Sequence, residues 1–393
     1  MNTTTEDGQS LARAAADALR RGDPRNARDL FLRAAQSGQA DIPVMLGLAY
    51  SCRALEDWKG MIASVDRVLA ADPRNLRALI MKGDGLERAD DTRAASAYYR
   101  AALRAAPPAA QLSPDLLQEL RRVQQSVNQF AQRYADHMRS WLESRGYGGA
   151  QSNTRFDQAL DILVGQKRVY LQEPRYFYLP QLPQKQFYDR ADFPWLDAVE
   201  AATDDIRNEM LAVLQDEAAF TPYVKSDPER PGSDQLGMAD NPAWTAFYLW
   251  QNGEPVAANA QRCPRTMAAL AQVPFARIPG RAPSVLFSQL RPGAHIPPHT
   301  GLINTRLIVH LPLVVPGKCR FRVGNDVREW QEGRAWVFDD SINHEAWNDS
   351  DRTRVILLFD IARPELTDEE NGWIATLFEG IDAFGGPKPR WDI

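Results

Sequence analysis

The sequence predicts a multidomain α + β protein, an N-terminal α-solenoid of helical repeats followed by an antiparallel jelly-roll domain. Three observations carry this. The first hundred residues repeat at an interval of 34. A long amphipathic stretch ending in glycine follows them. The carboxyl half is a succession of short β-rich runs broken by Gly, Pro, Asn and Asp, with no helix-length segments between them, so a doubly wound parallel sheet is unsuited to it.

At 393 residues the chain exceeds one ordinary domain, and its 44% hydrophobic and 25% charged residues are those of a globular protein with real cores. A net charge of −5 and a pI near 5.7 argue against nucleic acid or an anionic membrane as partner, although arginines cluster locally near the start. The amino end, MNTTTEDGQSLARAAADALRRG, lacks the apolar core of a signal peptide, and no later stretch reaches the roughly 18 apolar residues of a membrane span. A cytoplasmic protein is expected. Cys52, Cys263 and Cys319 are odd in number and far apart, which suits reduced thiols better than disulfides or a thiolate zinc site.

The repeat is defined by columns. Asp23, Asp57 and Asp91 stand 34 apart, as do Ala27, Met61 and Ala95; Phe31, Val65 and Tyr99; and Ala34, Val68 and Ala102; Pro73 and Pro107 keep the interval. A small residue, a bulky one four on and a small or apolar one three further resembles the tetratricopeptide repeat. Each such unit is a helix hairpin, in which small residues let helices approach and bulky ones fill the gap to the next hairpin. GLAYSCRAL around Ala49 and MKGDGLERA around Gly83 fit the first helices of units two and three. Three repeats are expected over 8–110, after a flexible tail at 1–7.

PPAAQLSP stops the last repeat, and DLLQELRRVQQSVNQFAQRYADHMRSWLESRGYGG reads as a linking or capping helix within 111–150, with His137 on it as a surface or packing residue. From Arg155 the texture becomes aromatic and proline-rich, then gives one amphipathic helix near 195–216. The second domain is expected over 155–375, with a tail at 376–393. Its strands read as VLFSQL, RLIVHLPLVV, CRFRVG, REWQEG, RAWVFDD and RVILLFDIA.

Of five histidines, His295, His299, His310 and His344 fall in one window. Imidazoles from different strands at a barrel mouth are plausible iron ligands, and the pattern to test is His-x-Asp/Glu with a distant second His. His299 opens that pattern and His344 closes it. Gly301 stands where the carboxylate would be, so an iron here has two protein ligands. Arg354 starts the apolar strand RVILLFD, where it either faces solvent or clamps an anion. Arg306, Ile308 and His310 share one face of their strand, and His310 is either a core histidine tied to a carbonyl or a pocket residue.

PGAHIPPHTGLINTRLIVHLPL and VGNDVREWQEGRAWVFDDSINHEAWNDSDRTRVILLFDIARPEL closely resemble the aspartyl/asparaginyl β-hydroxylase family, over about 155–370 and most strongly from Ser288 to Pro364. The resemblance implies a double-stranded β-helix (jelly-roll, cupin-like) and an Fe(II)- and 2-oxoglutarate-dependent dioxygenase that uses O2 as cosubstrate. It implies His299 and His344 as the metal ligands and catalytic centre, with glycine normal at position 301. Ser288 and Arg354 would hold the distal carboxylate of 2-oxoglutarate and His310 its other carboxylate. Family members carry arginine where this chain has Ile308, and Arg306 is the residue that could compensate. His295 has no implied role beyond support of the site or an exposed turn, and Asp339 and Asp340 suit Asx caps.

A repeat array joined to such a domain suggests hydroxylation of a peptide or protein, at the β-carbon of Asp or Asn, with the helical groove presenting it. The alternatives are a sensor or scaffold with little turnover, an iron halogenase, or a hydroxylase of a lipid or small molecule.

Overall fold

A computed structural model describes residues 7–147, 155–226 and 237–384, and the chain divides into two compact units, Met1–Lys167 and Arg168–Ile393.

The first unit is helical. Its hairpins are α1 (Gly8–Arg20) with α2 (Pro24–Gln36), α3 (Ile42–Ala54) with α4 (Trp58–Ala71), and α5 (Leu76–Arg88) with α6 (Thr92–Ala105). This is the predicted tetratricopeptide-type array, and the aspartate column has a physical cause. Asp23, Asp57 and Asp91 are the N-caps of α2, α4 and α6, accepting hydrogen bonds from the backbone N–H of Asn26, Gly60 and Ala94 at 3.2, 3.0 and 3.0 Å. The Ala27, Phe31 and Ala34 columns are buried in all three units, while Pro73 and Pro107 are exposed. Gly83 is required by close approach, since a Cβ there would overlap the ring of Tyr99.

Helix α7 (Pro114–Glu143) covers the last hairpin with Leu120, Val123, Val127 and Phe130, and Phe130 stacks on Tyr99 at 6.4 Å. His137 is exposed on it, the surface alternative of the two. Helix α8 (Arg155–Leu163) packs Leu160 on Ala135, and Asp161 accepts from Arg139 at 2.8 Å. The helical unit therefore runs to residue 167, past the expected boundary at 155. The tail expected at 1–7 lies outside the described residues except for Asp7, which caps α1. Among the described residues no helix is long and apolar enough to cross a membrane.

The second unit is built on two sheets. Strands β1 (Thr221–Pro222), β2 (Trp244–Gln251), β3 (Glu254–Pro255), β4 (Val285–Leu290), β6 (Arg306–Val314), β9 (Trp336–Phe338) and β11 (Arg354–Ala362) form the larger, in the order β1-β2-β4-β11-β6-β9, with β3 on β2. Strands β5 (His295–His299), β7 (Cys319–Val323), β8 (Asp326–Glu329) and β10 (His344–Asn348) form the smaller, in the order β5-β10-β7-β8, and every pairing is antiparallel. This is the expected jelly roll.

Alternation along the strands separates two cores. Leu307, Val309, Leu311 and Leu313 on β6, with Val355, Leu357, Phe359 and Ile361 on β11, pack against α9 (Leu196–Ala201), α10 (Thr203–Leu214) and the segment around α12 (Pro264–Ala269); α11 (Ala257–Ala260) lies between β3 and α12. The opposite face, with Arg306, Ile308 and His310 on β6 and Arg354, Ile356, Leu358 and Asp360 on β11, lines a cavity bounded by the smaller sheet.

Three expectations are corrected in detail. The helix expected over 195–216 is two helices broken at Ala202. The strand expected at REWQEG runs Asp326–Glu329, leaving Trp330 beyond it, buried and facing the cavity. The domain does not end at 375: α13 (Asp368–Ala383) carries a full capping box at Thr367 and Glu370 and buries Ile374 and Phe378. The rest of the expected tail, 385–393, lies outside the described residues.

Candidate active site

Antiparallel pairing of β5 with β10 sets His299 opposite His344, and their rings lie 4.1 Å apart, centroid to centroid. Ala346 pairs with Ile296 while His344 pairs with His299, so β5 uses three residues where β10 uses two. That bulge turns Ile296 and His299 both into the cavity and leaves His295 outside.

Each imidazole is oriented by its own strand. Nδ1 of His299 lies 2.7 Å from the carbonyl of Pro297, and Nδ1 of His344 lies 3.0 Å from that of Ile342. A carbonyl only accepts, so Nδ1 carries the proton in both rings and the lone pair sits on Nε2. Burial keeps the rings neutral: it pushes His299 well below its ordinary value, helped by His344 alongside, and brings His344 down to about 4. Two neutral imidazoles with oriented Nε2 lone pairs are a donor set for a divalent transition metal. Among the described residues no cluster of three or more His, Cys, Asp or Glu side chains could hold a metal ion, so the pair stands without a third protein ligand.

Gly301 borders this pair for a steric reason. A Cβ at 301 would fall on the carboxylate of Asp340. Asp340 is buried, accepts from no residue through Oδ1, and faces Arg306 Nη1 with Oδ2 at 3.2 Å. Asp339 is the Asx cap expected there, with Oδ1 accepting from the N–H of Ser341 at 3.0 Å; its Oδ2 accepts from Arg363 at 2.8 Å and Gln172 at 2.6 Å. Asp340 is no cap.

Arg306 reaches the cavity with its charge ion-paired, although its Nε and Nη1 have no hydrogen-bond partner. Its Nη1 lies between Asp340 and Asp360, at 3.2 and 3.4 Å, and the two carboxylates hold its charge above its ordinary range against the cost of burial. The idea that Arg306 compensates for Ile308 in holding a cosubstrate is therefore not favoured by its surroundings. Arg354 differs in its counter-ion. It is 1% exposed, stacks over Trp330 at 4.7 Å, reaches Ser288 O at 3.5 Å, and leaves Nε without a partner. No carboxylate pairs with it among the described residues, and burial pulls it down to about 10.

Ser288 lies on the adjacent strand, its Oγ accepting from Trp244 Nε1 at 3.2 Å. His310 is packed by Phe338 and Phe321, with ring centroids at 4.7 and 5.0 Å, and its Nδ1 has no partner, which removes the carbonyl-tied alternative. Burial and the nearby Arg354 push it well below its ordinary value, so it too is neutral. His299, His344, Ser288, Arg306, His310 and Arg354 thus line one cavity. His295 does not; it stacks on Trp347 at 5.2 Å and lies 3.1 Å from Glu345.

Sequence reasoning missed Trp244, Trp330, Asp360 and the segment 172–179. The last hydrogen-bonds along Gly301 and Leu302, with Arg175 N–H donating to Gly301 O at 3.0 Å and Tyr176 N–H to Leu302 O at 2.9 Å. Only the run WTAFYLWQ carried a readable signal for Trp244, as a β-rich stretch.

Residues 200–364 match the family described as aspartyl/asparaginyl beta-hydroxylase. Among similar proteins is an ornithine lipid ester-linked acyl 2-hydroxylase of Rhizobium tropici, 37% identical over 45% of this chain and 60% of that protein. Another is the aspartyl/asparaginyl beta-hydroxylase of Mus musculus, 40% identical over 32% of this chain and 17% of that protein. The chain spans less than two thirds of the length of either. The TPR domain of Arabidopsis OM64 is similar at 16% identity and a TM-score of 0.27, over 31% of this chain and 97% of that domain. Residues 200–364 of this chain are therefore similar to the aspartyl/asparaginyl β-hydroxylase family.

Proposed function

We propose that the chain is an Fe(II)- and 2-oxoglutarate-dependent hydroxylase acting on a C–H bond, the β-carbon of Asp or Asn in a peptide or protein. The observation that carries it is the juxtaposition, in one cavity, of two carbonyl-oriented neutral imidazoles with a buried arginine that lacks a counter-ion. Neutral Nε2 donors fit a ferrous ion, and a buried guanidinium beside a serine hydroxyl fits the far carboxylate of a keto-dicarboxylate.

In this reading His299 and His344 hold the iron, Arg354 and Ser288 fix the cosubstrate, and His310 lies beside it as a neutral imidazole. With 2-oxoglutarate and O2, the iron supplies the oxidising power for hydroxylation. The chain's own part is orientation and exclusion of water. Ile296, Leu302, Ile356 and Leu358 form an apolar wall, and Trp330 covers the guanidinium. The helical unit offers a groove between α3, α5 and α7, lined by Tyr50, Arg53, Arg77 and Glu119, which supports a role in receiving a peptide.

A second reading is hydroxylation of an aliphatic chain, favoured by that apolar wall and by the likeness to the Rhizobium tropici acyl hydroxylase. One experiment tests both. A cell extract is treated with purified protein, Fe(II) and 2-oxoglutarate, and peptides and lipids are compared by mass spectrometry with an extract given His344→Ala. Gain of one oxygen on a peptide, with succinate formed, is expected. Absence of succinate in every arm would refute the hydroxylase reading.

A further inference from the structure

We propose that Trp330 is a further binding residue of this cavity, its indole N–H donating a hydrogen bond to the same carboxylate that Arg354 holds. This rests on the hydroxylase reading above and deepens it by one residue.

The ring is firmly placed. Trp330 stands just past the end of β8, 4% exposed, and its indole stacks on Phe321 at 5.4 Å and on Trp336 at 5.8 Å, centroid to centroid. The Arg354 guanidinium lies over it at 4.7 Å, and the His310 ring is 6.0 Å away. These contacts hold the indole in one orientation, and with it the direction of its N–H.

That N–H has no acceptor within the protein. Nε1 of Trp330 is buried without a hydrogen-bond partner among the described residues. A buried donor left unpaired is costly, and folded chains ordinarily supply an acceptor. Trp250 is in the same condition away from the cavity, so an unpaired indole is not by itself a site. What sets Trp330 apart is its company. The two polar groups of the lining that touch its ring are also incomplete, Arg354 at Nε and His310 at Nδ1. Unsatisfied groups from three separate strands and turns thus meet at one end of one cavity.

A carboxylate is the ligand chemistry that these groups fit. It offers two oxygens with about four lone-pair sites and, when ionised, donates nothing. A guanidinium fork and the Ser288 hydroxyl occupy about three of those sites, which leaves one for an indole N–H. Ser288 is free to donate because Trp244 Nε1 already donates to its oxygen, at 3.2 Å. Trp330 adds its donor without adding charge, while its face carries the cation beside it.

The test measures binding to the full chain. Trp330→Phe keeps a ring beneath the guanidinium and removes the N–H. On protein loaded with Mn(II), its dissociation constant for 2-oxoglutarate is expected to rise by about tenfold to a hundredfold, with Mn(II) still retained. The second readout is a nitrogen–proton correlation spectrum of the indoles in protein loaded with Zn(II), which is diamagnetic. Trp244 is the other indole of the lining. At saturating 2-oxoglutarate, an indole signal that persists in Trp244→Phe is expected to move downfield, as a new hydrogen bond to a carboxylate requires. This spectrum decides the matter even if Trp330→Phe does not fold. Unchanged 2-oxoglutarate affinity in Trp330→Phe overturns the inference, as do indole signals that stay in place whatever the affinity. The hydroxylase reading fails separately, when the unaltered metal-loaded chain binds no 2-oxoglutarate.

Discussion

Gly301 and Asp340 compete for one volume: any β-carbon at 301 would occupy the position of the Asp340 carboxylate. The glycine therefore makes room for a neighbouring acid that pairs with Arg306, and the missing third metal ligand is not a vacancy waiting for a side chain. Gly301→Asp should consequently fail to build a facial triad. It is expected to destabilise the fold by roughly 1–3 kcal/mol through overpacking and to bind metal no more tightly than the parent. Chemical denaturation and metal titration check both parts, and a gain in metal affinity would contradict the steric account.

The histidine pair gives the second prediction. With only two protein donors, loss of either removes half of the set, so His299→Ala and His344→Ala should each abolish retention of Fe(II) or Mn(II) and all succinate formation. His295→Ala, outside the cavity and stacked on Trp347, should retain both. Metal content after desalting distinguishes these outcomes, and retention by either of the first two variants would remove that residue from the ligand set.

Three neutral imidazoles, His310 and His344 buried and His299 half-buried, also set an acid limit. His299 and His310 are held well below 6.5 and His344 at about 4, so below about pH 6.5 the unfolded chain takes up protons that the folded chain refuses. Their contribution is fully present above the unfolded value and is lost as pH falls toward 4. Burial raises the carboxyls of Asp339, Asp340 and Asp360, which work in the opposite direction and soften the loss. The metal-free chain should therefore show a lower denaturation midpoint at about pH 5 than at about pH 7. His310→Asn should flatten that slope, and a midpoint that rises on acidification would be incompatible with neutral buried rings.

Much of this was legible in the chain because it is written as periodicity. The 34-residue columns are the buried faces of paired helices, and the two-residue alternation of Arg306, Ile308 and His310 against Leu307, Val309 and Leu311 is the two-faced sheet. What periodicity cannot encode is contact between irregular segments far apart in sequence. Gln172 reaches Asp339 across 167 residues, and Arg281 reaches Asp382 across 101, with no pattern at either end to announce it. The engagement of Arg306 belongs to the same class. Its place on the strand was readable, but its neutralisation depends on Asp340 and Asp360 arriving from two other segments. The bulge in β5 that separates His295 from His299 is likewise a matter of register, which the sequence HIPPH does not reveal.

Arg354 yields the most discriminating prediction, because its structural and binding roles have opposite signs. A buried guanidinium with an unpartnered Nε and no carboxylate opposes folding, relieved in part by its stacking on Trp330. Arg354→Met fills similar volume without the charge, so the ligand-free chain should be as stable as the parent or more so. The same change removes the only cation in the cavity that lacks a carboxylate partner among the described residues, and 2-oxoglutarate affinity should fall about a hundredfold or more while Mn(II) binding persists. Were Arg354 a structural ion, the variant would instead lose stability and keep its cosubstrate affinity. Parallel denaturation and calorimetric titration of the one variant therefore separate a binding residue from a packing residue without any need to know the substrate.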